Sequence, residues 1–399
     1  MIRTILIYFF FASLYATTSF ADAIVTTNSL NEFNRDFQSM CDYQEFSGAV
    51  LLAIDDKIVF ERACGFANRN FNVPNTIDTK FNLGSVSKIF TSVAIAQLIG
   101  QNKLSLSTSI QKITPSWLPE ELAKKITIGQ LLIHTSGLGN YIEDSDWKLK
   151  SNSNLYTNTS DFRDLIYDSK LLFTPGTSQY YSNNGYILLG AVIETLSQQN
   201  YINYLKKSIF EPAAMNNTDL FRLDEPTLNR ADGYMYQCSK GKCLWKSNYF
   251  QANFIGNAAG GAYSTVGDLF KFSHALHNNM LLTPELTKEV LSDRIITPSN
   301  DIDVYIAIKP LKLNNLEIPV DFSSYGFAGA WNKFGLAAWE QPSFLGQTGG
   351  MAGASAFFAT SPEGKYTVII LSNVSGSGSI LLYKRIRALL GLSADIMNF

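Results

Sequence analysis

Phe81-Asn82-Leu83-Gly84-Ser85-Val86-Ser87-Lys88 leads into an apolar stretch that reads as a helix over 86–99. Ser85 and Lys88 stand three residues apart, a spacing that puts hydroxyl and amine on one helix face. A serine hydroxyl is a weak nucleophile at neutral pH. A lysine one turn away can activate it once the amine is partly desolvated. The pattern Ser-x-x-Lys therefore points to acyl-enzyme chemistry. Taken alone, the same spacing also suits a solvated helix face.

The stretch divides the chain. Before it, 48–54 and 57–63 are apolar or alternating runs around Asp55-Asp56, a strand–turn–strand signal. After it, helical periodicity prevails to about 265, with helices expected over 86–99, 128–134, 161–167 and 186–196. Asp268 is placed to charge or cap the start of a further helix over 269–276. Strand signals return at 344–347, 354–359 and 366–373, separated by Gly349-Gly350 and by a Ser361-Pro362-Glu363-Gly364-Lys365 turn, and a closing helix spans about 380–390. Strands at both ends with helices between predict an α/β protein of the α+β type. Its mixed, mostly antiparallel sheet is built from N- and C-terminal segments (about 33–80 and 320–392) and flanked by helices. A mainly helical lobe (about 85–265) is inserted, with a cleft where the two meet. Residues 22–399 are read as one domain.

Met1-Ile2-Arg3, an apolar run over 5–16 and the small residues before Asp22 read as a signal peptide, 1–21, which exports the chain to the periplasm or medium. The apolar run is too short to span a bilayer. A retained N-terminal anchor is the alternative, and the cleavage point carries no cysteine for a lipid. The formal charge of −2 and the lack of a basic cluster with interleaved aromatics exclude a nucleic-acid binder. Four cysteines, Cys41, Cys64, Cys238 and Cys243, fall in the exported part, where disulfides form. The segment 238–243 reads as a hairpin tip that one bridge could staple, with Cys41–Cys64 as its complement. The histidines, His134, His274 and His277, are not spaced with these cysteines as zinc ligands are. No cofactor or metal is implied.

Further along, Gln179-Tyr180-Tyr181-Ser182-Asn183-Asn184-Gly185-Tyr186 places a phenol and an amide two apart on a turn before a helix. Leu345-Gly346-Gln347-Thr348-Gly349-Gly350 places a hydroxyl on a strand, followed by glycines that permit close approach. With these motifs the chain resembles the penicillin-recognising serine hydrolases: class C β-lactamases, DD-carboxypeptidases and β-lactamase-like esterases. The resemblance rests on 81–88, 126–138, 175–190, 260–265 and 346–353, in family order, and extends over about 33–390.

The resemblance implies a β-lactamase/transpeptidase-like fold and a role for each matching residue. Ser85 is the implied nucleophile and Lys88 the group that takes its proton. Tyr181, in the family's Tyr-x-Asn element, shares acid–base work, and a lysine ammonium beside it would lower the phenol's pKa. Ser182-Asn183-Asn184 also fits a Ser-x-Asn form used by other branches. Gly185-Tyr186 and the helix that follows favour Tyr181-Ser182-Asn183, with Tyr180 left to packing. Asn183 is implied to hold the lysine and the substrate's acyl side chain. The N–H groups of Ser85 and Gly350 would form the oxyanion hole. Gln347, Thr348 and Gly349 would line the substrate.

Two residues of the pattern stand apart. His134 reads as scaffold, ending a helix that Gly137 can terminate, with its imidazole on backbone carbonyls. Gln347 departs from the family, which carries lysine or histidine there facing a substrate carboxylate. Glutamine donates a hydrogen bond without charge, and charge-assisted bonds are about twice as strong.

The reading is thus an exported serine hydrolase acting on a peptide-like amide, a β-lactam or an ester, with no nucleic-acid partner and no lasting membrane anchor. A small-ester carboxylesterase is the near alternative. A non-catalytic binding or scaffold protein that keeps the fold is a second, and a metallohydrolase is disfavoured by the histidine count.

Overall fold

The computed structural model describes residues 25–114, 116–143, 155–239, 242–292, 311–313, 316–318, 332–334, 344–376 and 378–392. The leader read over 1–21 lies outside them. The helices used below are α1 (Thr27–Asp42), α2 (Lys88–Gly100), α3 (Asn183–Ser197), α4 (Val266–His277) and α5 (Gly378–Leu389). The strands are β1 (Gly48–Ile54), β2 (Lys57–Cys64), β3 (Tyr234–Ser239), β4 (Lys242–Ser247), β5 (Asn332–Phe334), β6 (Phe344–Met351), β7 (Ala354–Thr360) and β8 (Tyr366–Ser372).

The sheet runs β5-β6-β7-β8-β1-β2. Every pairing within it is antiparallel, so the expected mixed sheet is antiparallel throughout these six strands. The two ends of the chain meet at its centre, where β1 pairs with β8 from Gly48↔Ser372 to Ile54↔Tyr366. Side chains alternate across a strand, so β1 and β8 feed two cores. Val50, Leu52, Val368 and Ile370 pack with Phe33 and Phe37 of α1 and Tyr383 of α5. Leu51, Ile369 and Leu371 face the other way and join Phe90 and Val93 of α2. Helices cover both faces, which is why these strands read as unbroken apolar runs rather than alternating ones.

α2 is apolar on nearly all sides, and Ile89, Phe90, Val93, Ile95 and Leu98 are fully buried. Such a helix must lie inside the protein. Each of these side chains contributes roughly 1.5–3 kcal/mol on burial, so α2 is a rigid post on which to mount chemistry. The predicted Cys41–Cys64 disulfide is present and ties α1 to β2. Residues 234–247 form the expected hairpin, with Cys238 directly opposite Cys243, but the side chains of those two cysteines lie outside the described residues. Among the described residues no helix is long and apolar enough to cross a membrane.

Candidate active site

The helix expected from Val86 starts instead with a 3-10 turn, Gly84–Ser87, and becomes α-helical at Lys88. Residues i and i+3 eclipse in a 3-10 turn, so Lys88 lies directly over Ser85. Lys88 Nζ is 3.1 Å from Ser85 Oγ. The turn is held from two sides. Gly261, at φ +91, donates its N–H to Gly84 O at 3.1 Å, and Ala262 N–H donates to Ser87 Oγ at 3.1 Å. Across from it runs β6, so close that a Cβ on Gly349 would sit 2.0 Å from Leu83 O. Only glycine admits that approach.

Lys88 is fully buried, whereas Ser85 is partly open to solvent. Burial drives the ammonium's pKa well below its ordinary value, favouring the neutral amine. Besides Ser85, Nζ meets Asn183 Oδ1 at 2.8 Å and, at short range, Ala259 O. A neutral amine has two protons and one lone pair. With two carbonyl oxygens taking the protons, the lone pair falls to the Ser85 hydroxyl.

Tyr181 O–H donates to Ser85 Oγ at 2.7 Å, which selects the Tyr181-Ser182-Asn183 register. Asn183 and Asn184 are the first residues of α3, which starts three residues earlier than its periodicity indicates because Ser182 caps it, accepting from Gly185 N–H at 3.1 Å. The expectation that a neighbouring ammonium lowers the Tyr181 pKa is overturned. Burial raises it, the Ser85 bond opposes this, and Tyr141 adds to it. Lys88 Nζ lies 4.9 Å from the Tyr181 ring, but burial disfavours its charged form, which weakens the positive charge available to lower the phenol.

His134 is buried beside the Tyr-x-Asn turn. Its Nδ1 accepts from Ser182 N–H at 3.2 Å, and its ring lies 4.5 Å from that of Tyr181. Two left-handed residues follow the helix Ile128–Leu132: His134 at φ +60 and Gly137 at φ +79. Tyr180 is not simply packed: its hydroxyl donates to Glu143 Oε1 at 3.0 Å on the surface.

Gln347 is buried on its strand. Alternation along β6 turns it inward with Leu345 and Gly349. It is 3 % exposed, and its Oε1 accepts from Thr348 N–H at 3.1 Å. It forms floor rather than mouth. Thr348 is partly exposed and Gly350 exposed, with open space where a Cβ would stand. The strand that carries Gly350 and the turn that carries Ser85 are in contact, since Gly350 N lies 3.0 Å from the place a Gly84 Cβ would take.

The model of the Beta-lactamase family matches residues 33–392. The chain belongs to that family. Penicillin-binding protein 4* of Bacillus subtilis is 28 % identical over 348 residues, 84 % of this chain and 70 % of that protein. A penicillin binding protein from Bacillus halodurans superposes with a TM-score of 0.73 at 28 % identity, covering 88 % of this chain and 98 % of the other. The D-amino acid amidase of Ochrobactrum anthropi, at 21 % identity and TM-score 0.66 over 90 % of this chain and 98 % of its own, shares the fold. The chain is therefore a Beta-lactamase family member similar to penicillin-binding proteins, and a serine hydrolase at that level of description.

Within this Beta-lactamase family site, sequence reasoning passed over three contributors. Ala259 offers only a backbone oxygen, which no side-chain motif announces. Asn140 accepts from Asn183 N–H at 2.7 Å and donates to Tyr181 O at 2.8 Å, buckling the Tyr-x-Asn turn from a distant loop. Asn257 accepts from Ala259 N–H at 2.9 Å. The signal for Asn257 was its place three residues before the Gly260-Gly261 pair.

Proposed function

We propose that this chain is an exported serine hydrolase that forms an acyl-enzyme on Ser85, acting on a peptide-like amide or β-lactam. One observation carries the reading: Lys88 is a buried amine whose two other partners are carbonyl oxygens, so its lone pair serves Ser85. As Ser85 Oγ attacks the acyl carbon, its proton passes to Lys88 Nζ. The tetrahedral oxyanion is met by the N–H groups of Ser85, at the start of the helical post, and of Gly350 on the sheet edge. Tyr181, a phenol held protonated by burial, hands its proton to the leaving nitrogen, and the phenolate left behind takes the proton that Lys88 Nζ received from Ser85, which returns both groups to their starting states. Water then attacks the acyl-enzyme by the reverse relay.

A second reading, a small-ester hydrolase, is favoured by Gln347. It carries no charge and is buried against its own strand, leaving a substrate carboxylate to neutral donors such as Thr348. The test compares kcat/KM for one D-alanyl peptide as free acid and as C-terminal amide, with a p-nitrophenyl ester alongside. Hydrolysis of both peptides within about fivefold of each other supports an amidase that ignores the carboxylate. Turnover of the ester alone selects the second reading. Full turnover of all three by Ser85→Ala overturns both.

A further inference from the structure

The two oxygens that take protons from Lys88 come from segments far apart in sequence, the start of α3 and the turn at Ala259. Asn183 Oδ1 belongs to the turn buckled by Asn140, and the next residue of that loop, Tyr141, donates its N–H to Asn184 Oδ1 at 2.6 Å. Ala259 O belongs to a tight turn in which Asn257 N–H donates to Gly260 O at 2.8 Å and Gly260 N–H donates back to Asn257 O at 3.1 Å. Inside that turn Asn257 Oδ1 is spent on Ala259 N–H, which fixes the amide's orientation. Its Nδ2 then donates to Tyr141 Oη at 3.2 Å. Tyr141 and Asn257 are 4 % and 9 % exposed, so the bridge is shielded from water.

We propose that Tyr141 and Asn257 form one positioning unit for acyl transfer, tying the loop of Asn140 and Tyr141, which holds Asn183, to the turn that carries Ala259, so that both carbonyl oxygens orient the Lys88 amine toward Ser85. Neither residue touches the reacting atoms. The inference rests on the acyl-enzyme reading above. If the bridge opens, the carbonyls drift and the lone pair is no longer aimed at Ser85, so acylation slows. The carbonyl dipoles also favour the ammonium formed on proton transfer. Losing them moves the acid limb of the rate to lower pH. The titratable groups facing Lys88 among the described residues are the phenols of Tyr181 and Tyr186, with Tyr141 beside Tyr181.

The experiment measures the second-order rate of labelling by a fluorophosphonate from pH 5 to 9. It uses the full chain, Tyr141→Phe, Asn257→Ala, the double variant and Ser85→Ala. Each single variant is expected to lose about tenfold or more in plateau rate, the worth of one well-made hydrogen bond. The double variant is expected within about twofold of the slower single, because one bridge is broken only once. The acid limb should move to lower pH. Single-variant rates within twofold of wild type, losses that multiply in the double variant, or an unmoved acid limb overturn the proposal. Tyr141→Phe keeps the ring and its edge contact with Phe162, so it decides the matter even if Asn257→Ala does not fold. Labelling that persists in Ser85→Ala overturns the acyl-enzyme reading itself. Labelling lost there but unchanged in Tyr141→Phe overturns only the positioning unit.

Discussion

Replacing Tyr181 by phenylalanine removes one oxygen and leaves the ring on which His134 rests at 4.5 Å. That oxygen lies 2.7 Å from Ser85 Oγ and belongs to a phenol whose pKa burial has raised, so the account makes it an acid throughout the working pH range. General acid–base groups contribute about 10²–10⁴ in rate, or roughly 3–5.5 kcal/mol of barrier. The loss should depend on the leaving group. An amide nitrogen must be protonated to depart, so Tyr181→Phe is expected to lower kcat/KM on an amide by at least 10². A p-nitrophenolate leaves unaided, and the loss on its ester should be at least tenfold smaller. Stability should change little: one neutral hydrogen bond of about 1 kcal/mol is lost, set against relief from burying a hydroxyl. The assay is a pair of kcat/KM values on amide and ester substrates, with a urea melt as control. An amide rate within threefold of wild type, or equal losses on amide and ester, refutes the acid role.

Other consequences follow from single residues. His277 Nε2 lies 2.9 Å from Thr360 Oγ1, and burial pushes the imidazole down to about 4, with Asp56 opposing and His274 adding. An unfolded histidine titrates near 6.5, so its contribution is present above that pH and lost as pH falls toward 4. Urea melts at pH 7 and pH 4 should show a loss of about 2–3 kcal/mol that His277→Gln largely abolishes. Removing the Cys41–Cys64 bridge by a double serine substitution, which frees a loop closed over 23 residues, should cost about 3 kcal/mol in the same melts. Gly349→Ala forces a methyl against Leu83 O and should destabilise by about 1–3 kcal/mol while slowing acylation at least tenfold. Gly350→Ala, with open space for its methyl, should fold with a stability within about 0.5 kcal/mol of wild type.

The legible part of the chain was the part written in side chains at fixed spacing. Ser85 and Lys88 on one turn, and Tyr181 and Asn183 two apart, could be read because their chemistry and register are local. The β1 and β8 runs could be read as strands because burial on both faces leaves an unbroken apolar stretch. What stayed hidden depends on three-dimensional closure. Ala259 acts through its carbonyl, and Asn140, Tyr141 and Asn257 act across loops whose approach no periodicity announces. The inward turn of Gln347 is set by β6 parity, which the sequence carries, and by which face α2 covers, which it does not. The fall in the Lys88 pKa likewise needs the knowledge that α2 is enclosed on every side, and with it the reversal of the Tyr181 shift.

The central claim is that Ser85 carries the acyl group. The direct measurement is intact-protein mass spectrometry of wild type and Ser85→Ala after exposure to a penicillin, a cephalosporin and a fluorophosphonate. The account predicts a mass increase equal to the bound probe in wild type, mapped to the peptide bearing Ser85, and none in Ser85→Ala. A wild-type protein that no probe modifies, or an adduct that persists in Ser85→Ala, contradicts it.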